Sequence, residues 1–142
     1  MSHQVRVLFV CTGNSARSQM AEAFARYCGK GRIEASSGGI DPKGLHPLTV
    51  QVMAEKGMDV SHQESKALTD EMLRKADYVV TVCGHADEHC PALPSHVRKL
   101  HWPIDDPAVL SGRAPEEVLA AFRRARDELE SRVREFLSTL TR

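Results

Sequence analysis

Hydrophobic positions along the chain follow two patterns, short continuous runs and longer stretches with helical spacing. A mostly apolar run at 5–10 and a β-branched run at 78–82 are typical of buried parallel strands. Shorter strands are predicted at 33–36 and 98–102. The chain therefore offers four strands, each separated from the next by other structure.

Helical spacing of apolar residues predicts helices between and after these strands. Two of them are long, one over about 15–28 and one that begins at Pro115; another runs from Pro47 to about Lys56, and Ser61 and Thr69 are expected to cap shorter helical pieces. This alternation predicts an α/β fold, a four-stranded parallel sheet with helices on both faces. We expect one domain over residues 1–142, with its active site at the carboxyl ends of the strands.

The polar loop after the first predicted strand carries both a nucleophile and a cation. It runs into a helix and consists of Cys11, Thr12, Gly13, Asn14, Ser15, Ala16, Arg17 and Ser18. The backbone N–H groups of such a loop can turn inward around an anion, and they would stabilise a negative charge on the Cys11 sulfur. The planar guanidinium of Arg17 fits two oxygens of a tetrahedral oxyanion. The loop predicts thiol attack on a bound oxyanion; the alternative is a buried strand cysteine beside a solvent-exposed arginine.

Two further cysteines, Cys83 and Cys90, lie seven residues apart in a segment with glycine and proline. If that segment were helical, their α-carbons would be about 10 Å apart, whereas a disulfide needs less than about 7 Å. A disulfide between them would therefore require the segment to unwind. Two alternatives are a metal site that also uses His85 and His89, and a purely structural pair. Cys28, late in an amphipathic helix, is expected to pack.

The pair Asp105 and Asp106 precedes Pro107 at the exit from the fourth predicted strand. A carboxyl group on such a loop can give a proton to a leaving oxygen. The alternative is a turn in which an aspartate caps the backbone.

Composition excludes several classes of partner and site. The 142 residues include 19 Lys plus Arg and 19 Asp plus Glu, so no net charge favours nucleic acid or an anionic membrane. No apolar stretch reaches the length of a membrane span, and the first residues lack a secretion-signal pattern. Four cysteines are too few for a disulfide scaffold. We expect a cytoplasmic protein.

Three segments together resemble the thioredoxin-coupled arsenate reductases, which share the fold of the low-molecular-weight tyrosine phosphatases. They are residues 10–23, residues 83–94 and the sequence His-Trp-Pro-Ile-Asp-Asp-Pro-Ala at 101–108. The cysteine pair favours the reductases, as does Gln19, because phosphatases of this fold usually carry proline there. The resemblance covers nearly the whole chain and implies a four-stranded parallel sheet with flanking helices.

The resemblance also implies roles around the oxyanion. Cys11 would attack arsenate while Arg17 and the amides of residues 12–18 hold it. Ser18 would support the thiolate, and Asp106 would protonate the leaving oxygen.

A relay of three cysteines follows from the same resemblance. Cys83 would attack the Cys11–arsenic adduct, which releases arsenite and leaves a Cys11–Cys83 disulfide. Cys90 would then form a Cys83–Cys90 disulfide for thioredoxin to reduce. No cofactor and no metal are expected, and we expect a monomer. The alternatives are a protein-tyrosine phosphatase, which has no use for Cys83 and Cys90, and a thiol or metal sensor.

One departure from the family concerns support of the loop. Asn14, Glu22 and Ser37 match positions that bind potassium in relatives, but Lys66 falls where those relatives have an aspartate. We hypothesise that the Lys66 ammonium takes the place of the cation and braces the loop through Asn14. The alternative is a solvated surface lysine.

Overall fold

Four strands form one sheet in this computed structural model, which describes residues 4–110 and 112–140. The strands are β1 (Val5–Cys11), β2 (Ile33–Gly39), β3 (Tyr78–Thr81) and β4 (Arg98–His101). Their order in the sheet is β2-β1-β3-β4, and every neighbouring pair is parallel. The predicted four-stranded parallel sheet is confirmed.

Helices follow the strands in alternation. They are α1 (Arg17–Cys28), α2 (Pro47–Ala54), α3 (Asp70–Lys75), α4 (Gly84–His89) and α5 (Pro115–Thr139), and a 3₁₀ turn covers Pro107–Leu110. The long helix α5 packs against α1 and α2. Among the residues that the structure describes, no helix is both long and apolar enough to cross a bilayer.

The core lies on both sides of β1. Successive side chains of a strand point to opposite faces of the sheet, yet Val7, Leu8, Phe9 and Val10 are each at most 1% exposed. Both faces of the central strand are therefore covered, which explains why its sequence is a continuous apolar run rather than an alternating one.

Most predicted boundaries agree with the structure to within two residues; the end of β2 and the segment at Ser61 do not. Strand β2 continues past residue 36 because Gly38 and Gly39 pair with the end of β1. A side chain at Gly39 would come within 2.8 Å of the Thr12 carbonyl oxygen, so glycine permits this close approach. Thr69 caps α3 as predicted, but the prediction for Ser61 is wrong. Its N–H and hydroxyl both donate to the Asp59 carboxylate, at 3.0 and 2.6 Å, and this forms a turn instead of a helix.

The topology brings two cysteines to the same edge of the sheet. Val10 of β1 lies opposite Thr81 of β3, and the Val82 N–H donates to the Val10 carbonyl at 2.9 Å. Cys11 and Cys83 each follow directly at these carboxyl ends. The parallel register therefore sets both thiols at the edge where the sequence predicted the site.

Candidate active site

The loop after β1 folds around the sulfur of Cys11, which is 2% exposed. The Sγ atom forms a hydrogen bond with the Ser18 hydroxyl at 2.8 Å and accepts the backbone N–H of Asn14 at 3.2 Å. The backbone of Asn14 is in the left-handed region, with φ at 45°, which turns the loop inward. Hydrogen bonds of this kind stabilise a thiolate.

Asn14 is the centre of the network that holds the loop. Its side-chain amide donates to the hydroxyls of Ser18 and Ser37, at 2.7 and 3.0 Å. Its side-chain oxygen accepts the Lys66 backbone N–H at 2.8 Å, and its carbonyl accepts the Gln19 side-chain amide at 3.0 Å. Asn14 is fully buried. These bonds hold the left-handed conformation that asparagine tolerates better than most residues.

A buried carboxylate continues the network away from the sulfur. Glu22 is 4% exposed and accepts the Ser37 hydroxyl at 2.5 Å. Its other oxygen forms an ion pair with Arg26, one turn later on α1. The Arg26 guanidinium also donates to Gln63 at 3.2 Å. An unbroken chain of polar contacts thus links the Arg26 guanidinium to the Cys11 sulfur.

This geometry corrects the hypothesis about Lys66. The residue does contact Asn14, but through its main-chain N–H, which any residue type other than proline supplies. Over 4–110 and 112–140, the Lys66 ammonium takes part in none of the hydrogen bonds or ion pairs. The positively charged side chain that pairs with Glu22 is Arg26. Sequence reasoning missed Arg26, although the Glu-x-x-x-Arg spacing was the signal available.

Arg17 and Asp106 face one another across the loop. One Arg17 nitrogen donates to the Ile104 carbonyl at 2.9 Å, and another lies 3.5 Å from the Asp106 carboxylate. The second oxygen of that carboxylate accepts the Ala108 N–H at 3.0 Å. Asp105 is exposed and lines no part of the cavity described next. Of the two aspartates, Asp106, which the resemblance names as the acid, therefore lines the cavity and Asp105 does not.

A cavity of about 380 Å³ opens above the loop. Its lining comes from the loop, from the segment that leads from β2 into α2, and from the segment after β4: Cys11, Thr12, Gly13, Ser15, Ala16, Arg17, Lys43, Gly44, Leu45, His46, Pro47, Asp106 and Ala108. Most of the predicted oxyanion-binding residues therefore share one space, while Asn14 and Ser18 support it from outside. Lys43 and His46 were not predicted. Burial lowers the pKa of His46, and the Asp106 charge partly opposes that shift.

Cys83 lies beside the loop rather than in the cavity. It is 6% exposed and caps α4, where its sulfur accepts the Ala86 N–H at 3.3 Å. The same sulfur is 3.3 Å from the hydroxyl of Thr12, the residue that follows Cys11. A second thiol thus contacts the loop at the residue next to Cys11.

Cys90 lies at the other end of α4, so the segment between the two cysteines is helical. It is half-buried, and burial raises the pKa of its thiol. All four cysteines are free thiols. Cys28 is partly buried against the core, in agreement with a packing role.

The two histidines of α4 do not join the cysteines. His85 and His89 stack on each other with ring centroids 4.1 Å apart, and the His89 Nδ1 contacts the His85 carbonyl at 2.8 Å. Within the described part of the chain, no three His, Cys, Asp or Glu side chains are grouped to hold a metal ion. The arrangement gives the metal-site interpretation no support.

Known proteins match nearly all of this chain. A family model described as low molecular weight phosphotyrosine protein phosphatase matches residues 6–142. An arsenate reductase from Halalkalibacterium halodurans is 46% identical over 133 residues, which are 94% of this chain and 95% of that protein.

Solved structures match over a similar extent. A Corynebacterium glutamicum thioredoxin-dependent arsenate reductase has a TM-score of 0.77 and 31% identity, over 97% of this chain. The present chain spans only 62% of that longer one. An arginine phosphatase from Geobacillus stearothermophilus has a TM-score of 0.78 and 29% identity, over 96% of this chain and 92% of that one. The same backbone therefore occurs in proteins named for two different activities.

Proposed function

This chain belongs to the low molecular weight phosphotyrosine protein phosphatase family, and we propose that it acts in that family as an arsenate reductase with a relay of three cysteines. The arsenate reductases among its relatives support the activity. The observation that carries the relay is the contact between the Cys83 sulfur and Thr12, at 3.3 Å. A phosphatase needs no second thiol at that position.

In the first step arsenate binds in the cavity against Arg17 and the loop amides. The Cys11 thiolate, held by Ser18 and the Asn14 N–H, attacks arsenic. A sulfur–arsenic bond forms and an arsenic–oxygen bond breaks. Asp106 gives its proton to the leaving oxygen, which departs as water. In the free protein the Asp106 carboxylate is paired with Arg17 at 3.5 Å. When the oxyanion binds, it takes over Arg17, and the released carboxylate takes up from solvent the proton that it passes to the leaving oxygen.

In the second step the Cys83 thiolate attacks the Cys11 sulfur. A sulfur–sulfur bond forms, and the electron pair of the sulfur–arsenic bond stays on arsenic, which leaves as arsenite. The two thiols are thereby oxidised by two electrons and arsenic is reduced by two. Thr12 follows Cys11 in the sequence and its hydroxyl contacts the Cys83 sulfur at 3.3 Å, which supports this pairing.

In the third step Cys90 attacks Cys83 and Cys11 leaves as a thiolate, ready for another turnover. The Cys83–Cys90 disulfide is then reduced by thioredoxin, the partner we propose. Because these cysteines lie at opposite ends of α4, the helix must unwind in this step. Unwinding also exposes the disulfide to its reductant.

The test is arsenate-dependent oxidation of NADPH with thioredoxin and thioredoxin reductase. We expect turnover in the wild type and none in Cys11→Ser, Cys83→Ser or Cys90→Ser. Cys28→Ser is the matched control, since that cysteine only packs against the core, and it should retain turnover. A Cys83→Ser variant with full turnover would contradict the relay.

Phosphatase activity is the second candidate, because Cys11, Arg17 and Asp106 suffice for it and one of the similar solved structures is an arginine phosphatase. Hydrolysis of an aryl phosphate and of a phosphoarginine peptide would reveal it. It should persist in Cys83→Ser. Efficient hydrolysis without any arsenate turnover would move the assignment to a phosphatase.

A further inference from the structure

The helix between the two relay cysteines has few contacts with the rest of the molecule. Of the α4 residues, Ala86 alone is fully buried. Four others are exposed: Gly84, His85, Glu88 and His89. The remaining residue, Asp87, has a side chain that is 34% exposed and reaches the sheet. Asp87 is therefore the main polar attachment of this helix.

Asp87 is bound to two adjacent strands at once. One oxygen of its carboxylate accepts the Thr81 hydroxyl of β3 at 3.0 Å and the Lys99 ammonium of β4 at 2.9 Å. The Lys99 ammonium also donates to the Asp87 main-chain carbonyl at 3.1 Å. We call Thr81, Asp87 and Lys99 the α4 anchor. His101 lies 3.8 Å from the same carboxylate oxygen.

The anchor depends on the helical form of the segment. Lys99 binds the side chain and the carbonyl of the same residue, so its two contacts require one particular backbone orientation at Asp87. The hydrogen bond from Lys99 lowers the pKa of the Asp87 carboxyl group, so the ion pair is present at neutral pH. Unwinding of α4 would move this backbone and break the anchor.

We propose that Asp87, through Thr81 and Lys99, is a positioning residue that keeps α4 helical in the dithiol form and thereby weakens the Cys83–Cys90 disulfide. The inference rests on the relay proposed above. While the anchor holds, Cys83 caps the helix beside Thr12, ready for the second step. The anchor contacts are lost when the Cys83–Cys90 disulfide forms and are restored when it is reduced, so the anchor makes the disulfide easier to reduce.

The direction of the effect follows from which form the anchor stabilises. It stabilises the dithiol, so its removal shifts the equilibrium toward the disulfide and makes the reduction potential more negative. Partly exposed ion pairs contribute modestly, but here one carboxylate accepts two donors. We expect a three- to tenfold shift, or about 15 to 30 mV for this two-electron couple.

The experiment measures that equilibrium directly. A Cys11→Ser, Cys28→Ser protein retains only Cys83 and Cys90, and is equilibrated with mixtures of oxidised and reduced glutathione. Oxidised glutathione takes up the two electrons as two thiols, and the disulfide fraction is read by alkylation and mass spectrometry. Asp87→Asn in this background should give the shift stated above.

Glu88→Gln is the matched control. It removes the same charge one residue later, and among the described residues Glu88 makes no hydrogen bond or ion pair. Its potential should equal that of the parent protein. Lys99→Met removes the other partner, so it should shift the potential in the same direction as Asp87→Asn. The double variant should add little to either single change, because both break one interaction.

The outcomes separate the two proposals. If the parent protein forms no Cys83–Cys90 disulfide in any mixture, the relay fails and the anchor inference fails with it. If the disulfide forms but Asp87→Asn and Glu88→Gln behave alike, the relay stands and the anchor is overturned. Should Asp87→Asn not fold, Lys99→Met decides the question in the same way.

Discussion

The two ends of the proposed relay are built in opposite ways. The loop around Cys11 is buried and tied by side-chain hydrogen bonds at Asn14, Ser18 and Ser37. Helix α4, between Cys83 and Cys90, is mostly exposed and depends on Ala86 and one anchoring aspartate. The Cys11 loop holds its hydrogen-bond donors and its arginine in place before a reaction. Helix α4 has few contacts that would prevent it from unwinding afterwards.

The difference corresponds to different chemical demands. Stabilising a bound oxyanion requires donors that do not reorganise when charge develops. Passing a disulfide from one thiol to another requires sulfur atoms to change partners, and hence requires movement. A rigid loop and a weakly held helix at adjacent strand ends allow one small fold to meet both demands.

The largest expected effect comes from changing the cation of the rigid region. Arg17→Lys keeps the charge but loses the planar fork and its fixed bond to the Ile104 carbonyl. We expect kcat/KM for arsenate to fall about 10²- to 10³-fold, as when one preorganised donor is removed elsewhere. Steady-state turnover measures this, and an unchanged unfolding midpoint would confine the effect to the site. A loss below about threefold would show that the guanidinium geometry is dispensable.

Asn14 tests how far the rigidity of the loop depends on one side chain. Asn14→Gly keeps the left-handed backbone and removes the buried hydrogen bonds, whereas Asn14→Ala also strains the backbone at φ 45°. We expect Asn14→Gly to lower the free energy of unfolding by about 2–3 kcal/mol, and Asn14→Ala by about 1 kcal/mol more. Urea denaturation distinguishes them. Equal losses would mean that backbone strain plays no part.

Arg26 lies at the outer end of the hydrogen-bond network that supports the Cys11 loop, and its removal tests how much the ion pair with Glu22 stabilises that region. Arg26→Ala leaves the Glu22 carboxylate buried without its cation, which costs several kcal/mol in fully buried pairs. Since the Arg26 side chain is 48% exposed, water screens part of the change, and we expect about 1–2 kcal/mol of destabilisation. Thermal and urea unfolding measure it. Lys66→Ala is the control and should be nearly neutral, because its contact with Asn14 uses the main chain.

Sequence reasoning succeeded where a local pattern carries the structure. The apolar run before Cys11 and the glycine and arginine after it define a strand, a loop and a helix in order, and Thr69 caps a helix as expected. It failed where partners distant in sequence decide the outcome. The extension of β2 depends on Gly39 facing Thr12.

The support of the loop and the turn at Ser61 show a different limit, because there the partners are local. The family pattern points to Lys66, but the side chain that pairs with Glu22 is Arg26, one helical turn later. At Ser61, the sequence allowed both a helix cap and a turn in which Ser61 donates to the Asp59 carboxylate, and the structure has the turn. The sequence predicted that Cys83 lies at the same edge of the sheet as Cys11. It could not predict the contact between the Cys83 sulfur and the Thr12 hydroxyl, because that distance depends on packing.

The smallest expected effect concerns helix α4 and the pH dependence of Cys90. Burial raises the pKa of the Cys90 thiol while α4 is helical, so less of it is thiolate at neutral pH. In a protein with Cys90 as its only cysteine, the rate of iodoacetamide alkylation should rise with pH. It should level off at a higher pH than the rate for a small thiol, whose pKa is about 8.5. At pH 7.5 we expect alkylation to be a few-fold slower than for that thiol, since the thiolate is the reactive form. Asp87→Asn should raise this rate, because it removes a negative charge that raises the pKa of the Cys90 thiol and because a helix that opens more often exposes the thiol, whereas Glu88→Gln should not. If Cys90 in the parent protein already reacts as fast as a small thiol, helix α4 does not protect it. The contrast between a rigid loop at Cys11 and a restrained helix at Cys90 would then be wrong for the helix.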